Sequence, residues 1–200
     1  MDLEHAPGRA VDVLGEGPTV LMWHGGSTDI RSSMGPLAAE VAERGRRVVV
    51  PDWDPLAADR GSTDVFTSLR FARETADHDP DELTILGWSM GGIAAASLCL
   101  NQRRLGIGFA RVVLVAAAPF PRVDPISGER IGPATPPVER STSVAFVNAT
   151  HDQIIDLDDA RATHDQWADV GWSTTFTEID ADHFTIVHDH ARALADLVVA

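Results

Sequence analysis

Two kinds of hydrophobic pattern alternate along the chain. Short runs of β-branched and apolar residues predict strands over 11–14, 19–23, 47–51, 83–87, 111–117, 144–148 and 174–179. Several of these runs are apolar throughout, as strands covered on both faces should be. Between them apolar residues recur at helical spacing. Leu37 and Val41 mark one face; Val65, Leu69, Ala72 and Ala76 a second; Leu157, Ala160, His164 and Trp167 a third; and Val187, Ala191, Leu194 and Val198 a last helix. The run after Ser89 is apolar nearly all round and predicts the most buried helix. Alternation of this kind predicts an α/β fold, a mainly parallel sheet with helices on both faces.

One stretch breaks the alternation. Residues 119–140 carry six prolines and predict a long connection without regular structure. Connections of this length inside a compact domain commonly act as lids or binding loops. We read it as a lid-like loop within one domain spanning 1–200, rather than a domain linker, because neither flank could fold alone.

Composition narrows the function classes. At 200 residues, 44% hydrophobic and 23% charged, the chain resembles an ordinary globular domain. A formal net charge of -14 argues against nucleic acid as a partner, since that surface repels phosphates. No apolar run approaches the length of a membrane span, and the N-terminus lacks a basic start followed by an apolar stretch, so a cytoplasmic protein without a membrane partner is expected. The single cysteine, Cys99, lies in an apolar helical run and reads as a buried structural thiol. No spacing of histidines and cysteines suits a metal: His188 and His190 are two apart and would point to different helix faces. The sequence carries no signal for oligomeric state.

Chemistry enters with Gly87-Trp88-Ser89-Met90-Gly91, a G-x-S-x-G pattern between a strand and a helix. In that setting the serine can sit on a sharp, strained turn with its hydroxyl exposed, provided the flanking positions lack bulk, which Gly87 and Gly91 supply. A serine hydroxyl needs a base and a group that orients the base. In an open parallel sheet these should come from loops at the carboxyl ends of later strands. Asp152 meets that condition, four residues beyond a strand, as does His183, in the loop between the last strand and the last helix. Asp156 and Asp158, beside the next helix, are better placed as N-caps. An oxyanion needs backbone donors: one is the amide of Met90, at a helix N-terminus, and the other falls in the loop His24-Gly25-Gly26-Ser27, with Gly26 preferred and Ser27 the alternative. His24 reads as a structural histidine of that loop. Trp23, Trp88, Met90 and Phe120, with Ser27, are the candidate pocket residues.

The order H-G-G, G-W-S-M-G, D-Q-I-I and D-H-F resembles the α/β-hydrolase superfamily over nearly the whole chain. It is closest in kind to its small serine esterases without a helical cap. The resemblance implies Ser89 as nucleophile, Asp152 as acid, His183 as base, and Gly26 and Met90 as oxyanion donors. The chain departs from the family's pattern in that part of the usual N-terminal hairpin is expected to be missing. Serine at position 89 argues against dienelactone hydrolases, which use cysteine there, and against dehalogenases and epoxide hydrolases, which use aspartate. The expected function is hydrolysis of a small carboxylic ester through an acyl-enzyme, without cofactor or metal. A thioesterase, lactonase, peptidase or perhydrolase on the same triad, and a non-catalytic binding module retaining the fold, are the alternatives.

Overall fold

The apolar runs form the strands of one eight-stranded sheet in the computed structural model, which describes residues 3–79, 82–119, 122–131, 136–137 and 142–200. The strands are β1 (Glu4–Ala6), β2 (Arg9–Leu14), β3 (Thr19–Trp23), β4 (Arg47–Pro51), β5 (Thr84–Trp88), β6 (Arg111–Val115), β7 (Ser143–Ala149) and β8 (Ser173–Ile179). Their spatial order is β1-β2-β4-β3-β5-β6-β7-β8. The pairs β1·β2 and β2·β4 are antiparallel; every other pair is parallel. The helices are α1 (Gly35–Glu43), α2 (Ser62–Glu74), α3 (Met90–Leu105), α4 (Leu157–Asp169), α5 (Thr185–His188) and α6 (Ala191–Val199).

Alternation along the strands divides the core into two layers. Leu21, Trp23, Ile85, Leu114 and Phe146 face one side, where they meet Val65 and Leu69 of α2, Ala95 and Leu98 of α3, and Trp167 of α4. Val20, Met22, Leu86, Val113 and Val147 face the other, against Leu37 and Val41 of α1, Ile186 of α5 and Leu194 of α6. Each fully buried side chain of this kind contributes roughly 1.5–3 kcal/mol. α4 starts where an aspartate ends the loop: the Asp156 side chain accepts from the amides of Asp158 and Asp159.

Two expectations are corrected. The N-terminal hairpin is present, because β1 pairs with β2 and β2 with β4. Its three-residue first strand is too short to show a period, and its central side chain is polar: His5 is buried, with Nε2 hydrogen bonded to the Asp52 carbonyl at 2.7 Å. The last helix is two helices, α5 and α6, interrupted at Asp189-His190, where both amides turn back to the Thr185 carbonyl. Apolar spacing runs through the break because both helices pack on the same face of the sheet.

Chain order crosses itself at β3. The connection through α1 leads to β4 on one side and that through α2 leads to β5 on the other. A crevice opens at the carboxyl ends of strands where the winding reverses in this way. The loop after β3 is His24-Gly25-Gly26, and the residue after β5 is Ser89. Among the described residues no helix falls between β6 and β7, and no helix is long and apolar enough to cross a membrane.

Candidate active site

Ser89 occupies φ 55°, ψ -117°, a conformation L-residues avoid, at a cost of order 1–3 kcal/mol. Its amide donates to the Val115 carbonyl (2.9 Å) and its carbonyl accepts from Gly92 (2.9 Å), so neighbouring β6 and the first turn of α3 hold the strain. The turn closes only because side chains are missing. A Cβ on Gly87 would fall 2.0 Å from the Gly91 carbonyl oxygen, one on Gly91 2.3 Å from the Trp23 carbonyl oxygen, and one on Gly92 2.4 Å from the Ala117 Cβ. Gly92 extends the requirement beyond the two glycines of the motif.

The loop after β3 lies against this turn. A Cβ on Gly25 would come 3.3 Å from the Ser89 Cβ, and one on Gly26 would come 2.9 Å from the Met90 sulfur. The Gly25 carbonyl accepts both the Ser27 amide (2.9 Å) and His24 Nδ1 (3.0 Å). In this structure that bond occupies the Ser27 amide. His24 is fully buried, burial lowers its pKa, and its carbonyl accepts from Trp53 Nε1 (3.2 Å), so it stays neutral and shapes the loop.

His183 Nδ1 lies 2.7 Å from Asp152 Oδ2, with both side chains almost wholly buried. The other Asp152 oxygen accepts from the amides of Ile154 (2.8 Å) and Ile155 (2.9 Å), which fixes the carboxylate. The His183 backbone is held in turn by Trp88, whose Nε1 donates to the His183 carbonyl (2.9 Å) and whose ring lies 5.5 Å from the imidazole. Asp182 accepts from the amides of Phe184 (2.9 Å) and Thr185 (2.8 Å), and these bonds hold its carboxyl below the usual range. Ser89, next in chain to Trp88, makes no side-chain hydrogen bond among the described residues; bonds of this kind commonly tighten only when substrate is bound.

A cavity of about 330 Å³ opens beside Ser89 and Met90, lined further by Trp53, Pro55, Arg60, Ile93, Ala118, Arg122, Val123, Pro125, Ile154 and Ile155. The pocket expectations need correction here. Trp23 is fully buried in the core, its Nε1 donating to Ser68 Oγ (3.1 Å), and Trp88 is turned towards His183; neither lines the cavity, and nor does Ser27. Both tryptophans lie on a strand, where alternation and a partner for the indole nitrogen decide their direction. Phe120 lies outside the described residues. The sequence reading missed the isoleucines of the motif that carries Asp152, although an apolar pair in a turn after a strand is a signal for a pocket wall.

The described part of the 119–140 connection forms one wall. Val123 and Arg130 form a single antiparallel bridge, and the Asp124 carboxylate reaches α3 to accept from Ser97 Oγ and Asn101 Nδ2 (3.3 Å). It also accepts from Ser127 Oγ (2.7 Å) and the Ile126 amide (2.7 Å). Burial pushes this carboxyl up, but the hydrogen bonds from Ser97, Ser127 and the Ile126 amide outweigh burial and hold it below the usual range. Among the described residues no three His, Cys, Asp or Glu side chains group to hold a metal ion.

The strand order, the strained serine between β5 and α3, and the histidine paired to an aspartate after β7 define a class, and comparison with known families agrees with it. Residues 20–149 match the model of the alpha/beta hydrolase family, and the chain belongs to that family. No functionally curated protein matches the sequence significantly. Among solved structures, the enol-lactonase from Burkholderia xenovorans LB400 superposes with a TM-score of 0.71 at 16% identity, over 96% of this chain and 95% of that one. An esterase from Exiguobacterium antarcticum gives 0.70 at 15% identity, over 96% and 94%. A thioesterase domain from the curacin biosynthetic pathway gives 0.64 at 16% identity, over 96% and 95%. At these identities the likeness is one of fold.

Proposed function

We propose that this chain is a serine-dependent hydrolase of small carboxylic esters, working through an acyl-enzyme on Ser89. In this reading Ser89 Oγ attacks the carbonyl and His183 Nε2 takes its proton. Asp152 keeps the histidine in the tautomer with Nδ1 protonated and stabilises the imidazolium. The amides of Gly26 and Met90 hold the oxyanion, the latter aided by the N-terminal dipole of α3. His183 returns the proton to the leaving alcohol, then activates the water that releases the acid. The steps need no external oxidant, reductant or co-reactant but water.

The observation that carries this reading is the Asp152–His183 pair, buried at 2.7 Å and packed on Trp88, the residue next in chain to a serine in strained geometry. A surface ion pair would need no such burial, and a serine serving only as a cap would need no positive φ. The test is covalent labelling by a fluorophosphonate, with mass spectrometry to locate the adduct, and turnover of p-nitrophenyl acetate. We expect the label on Ser89 and a loss of about 10⁴-fold or more in kcat for Ser89→Ala, with unchanged circular dichroism. An unlabelled folded protein, or activity retained in Ser89→Ala, overturns the reading.

A further inference from the structure

Twelve described residues line the cavity beside Ser89, and nine of them are apolar. Apart from the serine, the polar ones are both arginines, Arg60 and Arg122. Among the described residues no acidic side chain lines it, in a chain of net charge -14. The ion pairs among described residues involve other arginines or histidines, whereas neither Arg60 nor Arg122 pairs with a carboxylate there. Acids close to them in sequence are committed elsewhere, Asp64 to Arg9 (3.0 Å) among them. Asp59 accepts from Gly61 (3.1 Å) and Thr63 (3.0 Å), Asp54 from Leu56 (2.9 Å), and Asp124 is spent on Ser97 and its own turn.

Arg60 is also held in place. Its φ is 59°, the left-handed region, closed by its amide donating to the Ala57 carbonyl at 2.8 Å. Its guanidinium lies over Gly128, at the tip of the turn that carries Arg122; a Cβ there would come 2.5 Å from Nη2. The two cations thus reach one apolar cavity from two separate loops. Guanidinium groups are effectively always charged and match carboxylates through paired N–H donors. The diffuse negative charge of the distant surface is screened beyond about 10 Å at 0.1 M salt, and among the described lining residues these two guanidinium groups are the charged ones.

Building on the hydrolase reading, we propose that the substrate is an ester carrying a carboxylate a few carbons from the scissile bond, with Arg60 and Arg122 as the groups that bind it. The carboxylate belongs to either the acyl or the alcohol part, and paired isosteric substrates distinguish the two. For the acyl side the pair is mono-p-nitrophenyl adipate against p-nitrophenyl hexanoate, corrected for enzyme-free hydrolysis. For the alcohol side it is 4-acetoxybutyrate against butyl acetate, followed in a pH-stat.

On one of the two arms we expect kcat/KM to favour the anionic ester by about tenfold. Arg60→Gln and Arg122→Gln should each cut that ratio by about three- to fivefold, the range of a partly exposed charge pair. Because each variant is read as a ratio, a general loss of activity cancels. Equal or better turnover of the neutral ester on both arms overturns the proposal, as does a preference that survives both substitutions. Failure of the parent reading looks different: neither ester is hydrolysed and no fluorophosphonate adduct forms on Ser89.

Discussion

Asp152 and Asp156 stand four residues apart on one loop, and the structure gives them different work. Asp152 spends one oxygen on His183 and the other on two amides; Asp156 caps α4. Replacing Asp152 by Asn keeps the shape but offers Nδ1 of His183 an amide in place of a carboxylate. We expect a fall in kcat on p-nitrophenyl acetate of about 10⁴-fold with little change in the urea midpoint. Asp156→Ala should do the reverse, lowering stability by about 1 kcal/mol while turnover persists. Measuring both quantities on both variants separates chemistry from capping, and a loss of activity in Asp156→Ala of the same size would sink the assignment. The contrast was legible in part, because only Asp156 directly precedes a helical period. That the Asp152 carboxylate reaches His183, 31 positions away, is a tertiary fact.

The turn over 122–131 shows what an element can owe to a single buried group. Its one bridge cannot hold it, and Asp124 ties it to α3 through Ser97 and Asn101. The folded-state pKa of Asp124 is depressed, so the docking it supports is complete above the unfolded-chain value near 4 and is lost as pH falls through the folded value. Hydrogen exchange at the Ile126 and Gly128 amides should therefore accelerate below about pH 4. In Asp124→Ala it should be fast already at pH 7, since Ser97 then loses its buried partner, at about 1–3 kcal/mol. Protection in that variant equal to the wild type at neutral pH would show that apolar contacts alone seat the turn. The segment reads in sequence only as a proline-rich connection, because one aspartate in a loop shows no sign of which helix it will reach.

At the scale of the molecule, the reversal of winding at β3 brings the glycine loop and the strained serine to one crevice, and the loops after β4, β6 and β7 wall it. The cavity of about 330 Å³ lies at the small end of ligand sites, which run from roughly 300 to 1,000 Å³. Each buried methylene adds about 0.8 kcal/mol until the wall is reached. Across neutral p-nitrophenyl esters, kcat/KM should rise and then plateau at about two to six acyl carbons, set by a methylene's gain and the cavity's size. A rise continuing to twelve carbons would mean that the 119–140 connection encloses a longer acyl channel than this cavity.

Seven of the eight strands, the setting of Ser89 between strand and helix, and the order in which an aspartate and a histidine follow it are written in the local pattern of residues. These are local matters, written in alternation, helical period and the absence of side chains at Gly87 and Gly91. Tertiary structure alone decided that Trp88 turns to the His183 carbonyl and Trp23 to Ser68, that His5 buries itself in a first strand too short to read, and that Ile154, Ile155, Arg60 and Arg122 meet in one cavity. Each of those outcomes depends on which face meets which partner across the sheet. Periodicity fixes that a residue is turned inward, but the residue it meets there is set by strand order and by loops that converge from distant parts of the chain.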